Sequence, residues 1–205
     1  MDPKALFNIS YGVFLLSAKN REKTNACITN TCMQVASDPV RIAITCLNSN
    51  LTCEMIKESG EFTLSILDVT CTFDTIRHFG MQSGRTVDKL DGLDLPTAGN
   101  GLPYLNWASC AYLACKVVSS LDLGTHMLFI AEVQEAERLS DEAPLTYADY
   151  QARLKPKPQN KPVEKKIVGW RCKICGYVYE GSELPADFVC PLCGHDASDF
   201  EPIFE

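Results

Sequence analysis

Four cysteines set as two CxxCG strings, Cys172 to Gly176 and Cys190 to Gly194, constrain the C-terminal part of this chain most tightly. Two residues between paired cysteines let one tight turn present both sulfurs to a single ion, and 14 residues separate the pairs. Gly176 and Gly194 can take positive φ without a Cβ penalty. Backbone N–H groups can then fold back toward sulfur, and such hydrogen bonds tune a metal–thiolate centre. Tetrahedral four-thiolate coordination by Cys172, Cys175, Cys190 and Cys193 suits zinc or iron, so the spacing defines a metal site without choosing the metal. Zinc makes the module a structural knuckle. Iron makes it a one-electron relay.

A chain of 205 residues has room for one sizeable domain and a small one. No apolar run reaches the length of a membrane span. The N-terminal stretch ALFNISYGVFLLSA is broken by polar residues and lacks a clustered basic lead, so a cytoplasmic protein with no membrane association is expected. The other seven cysteines (Cys27, Cys32, Cys46, Cys53, Cys71, Cys110, Cys115) lie mostly in apolar segments, where a thiol packs as a small hydrophobe. So many free thiols fit a reducing compartment. A net charge of −7 argues against nucleic-acid binding as the main task. Residues 163–205 carry four basic and eight acidic side chains, which suits steered docking to a positively ringed partner as well as plain solubility.

The string LKPKPQNKPV, residues 154–163, has three prolines, three lysines and little to bury. Its proline spacing favours an extended, semi-rigid tether. The expected division is therefore a first domain over 1–152, a linker over 153–165 and a second domain over 166–205. Strands are predicted over Tyr11–Ala18, Thr24–Thr31, Val40–Cys46, Glu61–Leu67, Ala108–Ser119 and Thr125–Ala136, all rich in branched and aromatic residues and broken by turn formers. Helices are predicted over Leu51–Ser59, stopped by Gly60, and over Thr72–Met81. Gly92–Pro103 reads as a surface loop. This mainly β pattern with few helices points to a closed or partly closed antiparallel barrel.

Four strings in series carry the reading further: ITNTCMQVASDP (28–39), NSNLT (48–52), CEMIKESGEF (53–62) and LGTHMLFIAEV (123–133). Together they resemble the flavin reductase family, whose fold is an FMN-binding split β-barrel of Greek-key type. The resemblance implies that Thr29, Asn30, Thr31 and Cys32 run along the flavin ring and ribityl chain. It makes Asn48, Asn50 and Thr52 the phosphate pocket, where Thr52 opens a helix whose N-terminal amides favour an anion. Taken alone, Asn50 and Thr52 equally suit a plain helix cap. The family often has lysine where this chain has Asn48, so Arg41, Arg85 or Lys89 is expected to compensate. His126 matches a family histidine near the nicotinamide approach, and a positioning role is expected of it. With no GxGxxG string, NAD(P)H is expected to dock transiently over the flavin. His78 is expected at the surface.

The strings WRCKICGYVYEG (170–181), LPADFVCPLCG (184–194) and DFEPI (199–203) resemble rubredoxin, which implies one iron on the four cysteines. It also implies a small aromatic core of Trp170, Tyr177, Phe188 and Phe200. The loop between the cysteine pairs is shorter than in ordinary rubredoxins, and His195 is expected to be a bystander. Both halves together resemble the high-molecular-weight rubredoxin type, a flavin reductase fused to rubredoxin. The implied function is an NAD(P)H:FMN/rubredoxin oxidoreductase, a homodimer passing electrons through FMN and iron to a flavodiiron O2 or NO reductase in stress defence. Two alternatives remain: a diffusible-flavin reductase, or a non-catalytic flavin- or haem-binding barrel with a zinc knuckle.

Overall fold

In the computed structural model, which describes residues 3–156 and 167–204, the strand Phe14–Lys19 (β1) is buried on both faces. Its alternate side chains feed two apolar clusters. Phe14, Leu16 and Ala18 join Ile44, Phe62, Leu64 and Phe129 on one side, while Leu15 joins Val13, Ile76, Phe79 and Leu105 on the other. Period-two alternation makes this division possible within a single strand. The remaining strands of the first unit are β2 (Thr24–Thr29), β3 (Cys32–Ser37), β4 (Val40–Leu47), β5 (Glu61–Leu67), β6 (Ser109–Asp122) and β7 (His126–Arg138). They form one antiparallel sheet in the order β2-β1-β5-β6-β7-β4-β3.

The strands β2 and β3, at opposite ends of that order, are separated in the chain only by Asn30 and Thr31. The Thr29 hydroxyl donates to the carbonyl of Thr45 on β4 at 3.1 Å, bringing one end of the sheet to the other. The expected mainly β barrel is present, with one strand more than the sequence pattern predicts. Cys32–Ser37 is an edge strand with Met33 63% and Val35 48% exposed. Its apolar side chains are not gathered on a buried face, which is why alternation gave no signal. The segment predicted as Thr24–Thr31 stops at Thr29, beyond which the chain leaves its pairing with β1 and, after Asn30 and Thr31, pairs with β4 instead.

The helix α1 (Leu51–Ser59) has the predicted bounds. The Asn50 side chain accepts the Thr52 N–H at 3.0 Å, and Gly60 at φ 72° closes the C-terminus with its N–H on the Ile56 carbonyl. Thr52, Met55 and Ile56 share the buried face that i, i+3, i+4 spacing defines. The helix α2 (Phe73–Gly80) is capped by the Thr72 hydroxyl on the Thr75 N–H and buries Ile76 and Phe79. Against expectation, His78 is half-buried: its Nε2 lies 2.7 Å from the Lys89 carbonyl, and its ring meets Phe79 edge-on. A feature absent from the sequence reading is the turn of helix Tyr147–Asp149 that continues as a π-helical segment, Tyr150–Leu154. It takes up the first two residues of the predicted linker, whose positions 157–165 lie outside the described residues.

The chain divides into two compact units, Met1–Pro156 and Lys157–Glu205. The second holds a three-stranded antiparallel sheet of β8 (Ile167–Cys172), β9 (Val178–Glu180) and β10 (Phe200–Phe204), in the order β10-β8-β9. Its core is small: Cys172, Cys190 and Phe200, with Trp170, Tyr177, Tyr179, Leu184 and Phe188 partly buried against them. Phe188 packs edge-on to Phe200, ring centroids 5.4 Å apart. Among the described residues, no helix is long and apolar enough to cross a membrane.

Candidate functional sites

A cavity of about 300 Å³ opens where the ends of β2 and β4 meet α2 and the C-terminal turn of the first unit. Its wall gathers Thr29, Asn30, Thr31, Asn50 and His126 from the sequence reading. Close by, the Thr31 N–H donates to the Thr29 hydroxyl at 3.4 Å, and the Thr31 hydroxyl donates to the Asn30 side-chain Oδ1 at 3.2 Å. The His126 Nδ1 lies 2.9 Å from the Thr125 hydroxyl, which sets the ring orientation at the start of β7. Asn50 brings the N-terminus of α1, the positive end of its dipole, to the same wall.

Cys32, Asn48 and Thr52 lie outside this wall. Cys32 packs against the barrel interior, where burial pushes its thiol up to about 12. Asn48 is used in a turn: its Nδ2 donates to Asp122 Oδ1 at 3.0 Å and to the Gly124 carbonyl at 2.9 Å. Its Oδ1 accepts from Lys57 Nζ at 3.1 Å. Thr52 is fully buried, and its hydroxyl accepts from Asn25 Nδ2 at 2.9 Å. The basic residues expected to compensate for Asn48 are not in the wall either. Arg85 pairs with Glu54 at 2.5 Å, Arg41 stands opposite Glu132 across β4 and β7, and Lys89 is buried.

The sequence reading missed the apolar and aromatic part of the wall: Val13, Ile28, Ile76, Tyr147 and Tyr150. The signal available was the aromatic pair at i, i+3 in TYADY, behind the capping Thr146. Gly80 also lines the cavity, and a Cβ there would press on Ile28 at 3.2 Å. Short hydroxyl and amide groups beside apolar walls and a helix N-terminus fit a planar heteroaromatic ring carrying an anionic tail.

In the second unit, Cys172 Sγ lies 3.7 Å from Cys193 Sγ, and Cys175 Sγ lies 3.5 Å from Cys190 Sγ. All four sulfurs fall within 4.8 Å of one another. A tetrahedral site with metal–sulfur bonds of about 2.3 Å has sulfur–sulfur edges of about 3.7 Å, so the cage has the size of one metal ion. The two knuckles are near copies. Each first cysteine donates its N–H to a carbonyl five residues on (Tyr177, His195) at 2.8 Å and accepts from the glycine N–H at 2.9 Å. Gly176 and Gly194 hold φ 79° and 75°, as the CxxCG pattern requires. The Tyr177 and His195 amides also reach the sulfurs of Cys175 and Cys193, placing donors where thiolate charge would lie. The His195 ring turns its Nδ1 to the Cys193 carbonyl at 3.2 Å. Cys172 and Cys190 are buried, whereas Cys175 is exposed, as are Ile174 and Leu192, the residues that precede the second cysteine of each pair.

Fold and sites together define a flavin-binding barrel carried on the same chain as a tetrathiolate metal module. Residues 6–154 match the flavin reductase like domain, and residues 170–201 match the rubrerythrin, rubredoxin-like domain. The chain belongs to the flavin reductase-like family and, through its second module, to the high-molecular-weight rubredoxin type. It is 34% identical to the high molecular weight rubredoxin of Moorella thermoacetica, across 99% of this chain and 100% of that one. The ferric-chelate reductase (NAD(P)H) of Archaeoglobus fulgidus is 38% identical over 77% of this chain and 93% of its own length. Among solved structures, the NADH:FAD oxidoreductase of Streptomyces globisporus C-1027 superposes with a TM-score of 0.64 at 20% identity, covering 71% of this chain and 90% of that one. That likeness establishes the split-barrel fold. The flavin reductase-like domain and the rubredoxin-like cysteine cluster support FMN and iron as the groups these sites hold.

Proposed function

We propose that this chain is an NAD(P)H:FMN/rubredoxin oxidoreductase that delivers electrons from a nicotinamide to an external acceptor through its own two sites. The observation that carries the reading is the joining, in one chain, of a flavin reductase-like cavity and a four-thiol cage of single-ion size. FMN supplies acceptance of a hydride and release of its electrons one at a time, and iron supplies a one-electron centre that four thiolates suit in both oxidation states.

Within the barrel, Thr29, Asn30 and Thr31 offer hydroxyl, amide and backbone groups to the ring edge. Asn50 and the positive end of the α1 dipole offer an anion site to the phosphate. Val13, Ile28 and Ile76 exclude water from the ring face, and His126 positions the nicotinamide. Cys32, Asn48 and Thr52 support this wall from behind, through packing, the turn at Gly124 and the Asn25 bond. In the second unit, exposed Cys175 with Ile174 (57% exposed) and Leu192 (72%) forms the edge through which an acceptor takes electrons. The acidic surplus of residues 163–205 steers a positively ringed partner toward it. The acceptor is a flavodiiron protein that reduces O2 or NO, the enzyme works as a cytoplasmic homodimer, and its role is stress defence.

Anaerobic titration of the purified protein with NADH or NADPH, followed by absorbance, tests this reading. The flavin band and the ferric–thiolate band should both bleach, the second only when flavin is present. Zinc in place of iron, or iron that stays oxidised while flavin is reduced, would remove the relay. The likeness to a ferric-chelate reductase favours a second reading, in which the barrel serves low-molecular-weight acceptors directly. Flavin that leaves the protein on gel filtration would support a diffusible-flavin reductase of this kind.

A further inference from the structure

Three cysteines of the first unit converge behind the cavity wall, where no step of the relay uses them. Asn25, Cys27 and Thr29 alternate along one face of β2. The Asn25 amide donates to the Thr52 hydroxyl at 2.9 Å, and the Thr29 hydroxyl donates to the Thr45 carbonyl at 3.1 Å. Those two contacts set the residues that follow Thr45 and Thr52, namely Cys46 and Cys53, beside Cys27 in one buried cluster. The Cys46 thiol lies within hydrogen-bonding reach of both Cys27 and Cys53. Among the described residues, only the four cysteines of the second unit group three or more metal-binding side chains with all ligand atoms within 4.8 Å of one another. The trio of the first unit is therefore a line with Cys46 in the middle, not a metal cage.

We propose that Cys46 and Cys53 are an oxidation site, joined by hydrogen peroxide in a reversible disulfide that closes residues 47–52 into a loop and weakens their grip on the flavin phosphate. The effect on phosphate rests on the flavin reading above; the disulfide does not.

Cys46 is the point of entry, since it lines the cavity and its two neighbours do not. Cys53 is the partner that can move. Cys27 is locked opposite Leu16 in the β1–β2 ladder, and Cys46 opposite Met127 in the β4–β7 ladder. Cys53 stands instead in the first turn of α1, joined to Cys46 through the turn in which the Asn50 N–H donates to the Leu47 carbonyl. The helix dipole favours a thiolate at that place. The hydrogen bond from Cys46 and then the Lys57 ammonium hold the Cys53 thiol below its ordinary range, against burial. The Cys46 thiol is pushed up by the hydrogen bonds it shares with Cys27 and Cys53.

The Cys53 thiolate takes the Cys46 proton, and the Cys46 thiolate attacks peroxide. An S–O bond forms, the O–O bond breaks and hydroxide leaves. The Cys53 thiol then attacks the oxidised sulfur, the S–S bond forms and the oxygen leaves as water. Overall, two thiols give up two electrons and two protons, and one peroxide becomes two waters. The sulfurs must close inside their hydrogen-bonding separation, so the first turn of α1 moves with Cys53. Asn50 caps that turn and lines the cavity, and the anion site shifts with it.

Trypsin reads the pairing without any variant. Ile42–Lys57 is one tryptic peptide carrying both cysteines, and Cys27 falls in another, Thr24–Arg41. The metal-loaded full chain, treated with hydrogen peroxide and then alkylated, should yield Ile42–Lys57 two hydrogens lighter and free of alkyl groups. Dithiothreitol should restore two alkylated sites. Peroxide should raise the FMN dissociation constant about tenfold, the scale of a helix-terminus contact to an anion, and leave riboflavin binding unchanged. Cys53→Ala should abolish both the closed peptide and the loss of FMN affinity. Alkylation of both thiols after peroxide, or a link between Ile42–Lys57 and Thr24–Arg41, would overturn the proposal. A closed peptide with unchanged FMN affinity would overturn its effect on the loop. If the untreated protein binds neither flavin, the flavin reading itself fails, and the peptide map still decides the disulfide.

Discussion

The Lys89 ammonium donates to the Phe79 carbonyl at 2.7 Å from a side chain only 2% exposed. It donates also to the Ala26 carbonyl at 2.9 Å, so one buried cation ties the end of α2 to β2. Gly80, next after Phe79, and Ile28, two residues after Ala26, line the cavity proposed for flavin. Replacing Lys89 by Met leaves both carbonyls without that donor. The expected loss is about 2 kcal/mol, read as a lower urea midpoint at unchanged slope, together with weaker flavin retention.

Asn50 serves two ends at once, as N-cap of α1 and as part of the cavity wall. Asn50→Asp preserves the cap and places a negative charge beside the proposed phosphate position. Folding stability should stay within about 0.5 kcal/mol. FMN affinity should fall roughly tenfold, equivalent to about 1.4 kcal/mol, while riboflavin, which has no phosphate, binds as before. Fluorescence titration with both flavins reads the difference. Equal weakening of both would move the phosphate elsewhere.

His126→Gln keeps a hydrogen-bonding group at the start of β7 without an imidazole. For a positioning residue, kcat/KM for NAD(P)H should fall about tenfold, or about 1.4 kcal/mol of transition-state stabilisation. The pH–rate profile between pH 5.5 and 8 should keep its shape. Loss of a limb from that profile would instead make His126 a proton donor or acceptor.

Cys175→Ser removes one thiolate from the cage. Because the second unit has so small a core, metal binding and folding are coupled there. The variant should lose iron and the transfer of electrons to protein acceptors. Reduction of a free dye by NAD(P)H should persist within about twofold of wild type, since the barrel's chemistry needs no metal. Metal analysis and parallel dye and acceptor assays decide it.

Burial pushes the thiols of Cys32 and Cys115 up to about 12, from an ordinary value of 9.0. In the unfolded chain these groups lose their protons near 9.0, and in the folded chain they keep them. Above pH 9 the unfolded state therefore binds fewer protons, and stability falls as pH rises toward 12. Urea midpoints at pH 8 and pH 10.5 should show the decline. Cys115→Ala should flatten it.

The metal cage was legible almost completely, because two CxxCG turns need only local geometry to bring sulfurs together. The barrel was legible through β1, β4, β5, β6 and β7, whose apolar side chains face a shared interior. The edge strand β3 was not, since Met33 and Val35 point to solvent and leave no buried stripe. In the cavity proposed for flavin, the contiguous Thr29–Thr31 and the helix-opening Asn50 are part of the wall and were named from local strings. Tyr147 and Tyr150 could not. They reach the cavity because the chain returns after β7, the Leu145 N–H donating to the Leu67 carbonyl at 2.7 Å and the Tyr147 N–H to the Tyr11 carbonyl. Such pairings depend on residues many tens of positions away. Lys89 was expected as one of three candidates to compensate for Asn48 at the phosphate, because nothing in its neighbourhood of sequence shows the two carbonyls it meets.

The end-to-end placement of β2 and β3 in the sheet has a kinetic consequence. The cavity draws on residues from Val13 to Tyr150, so it takes shape only after contacts spanning nearly the whole first unit are made. Such high contact order makes folding slow, and a flavin that needs the whole wall binds only the finished barrel. Flavin added to a refolding mixture should then leave the refolding rate alone and slow unfolding in proportion to its occupancy. The barrel must be born empty, and its cofactor acts afterwards as a lock.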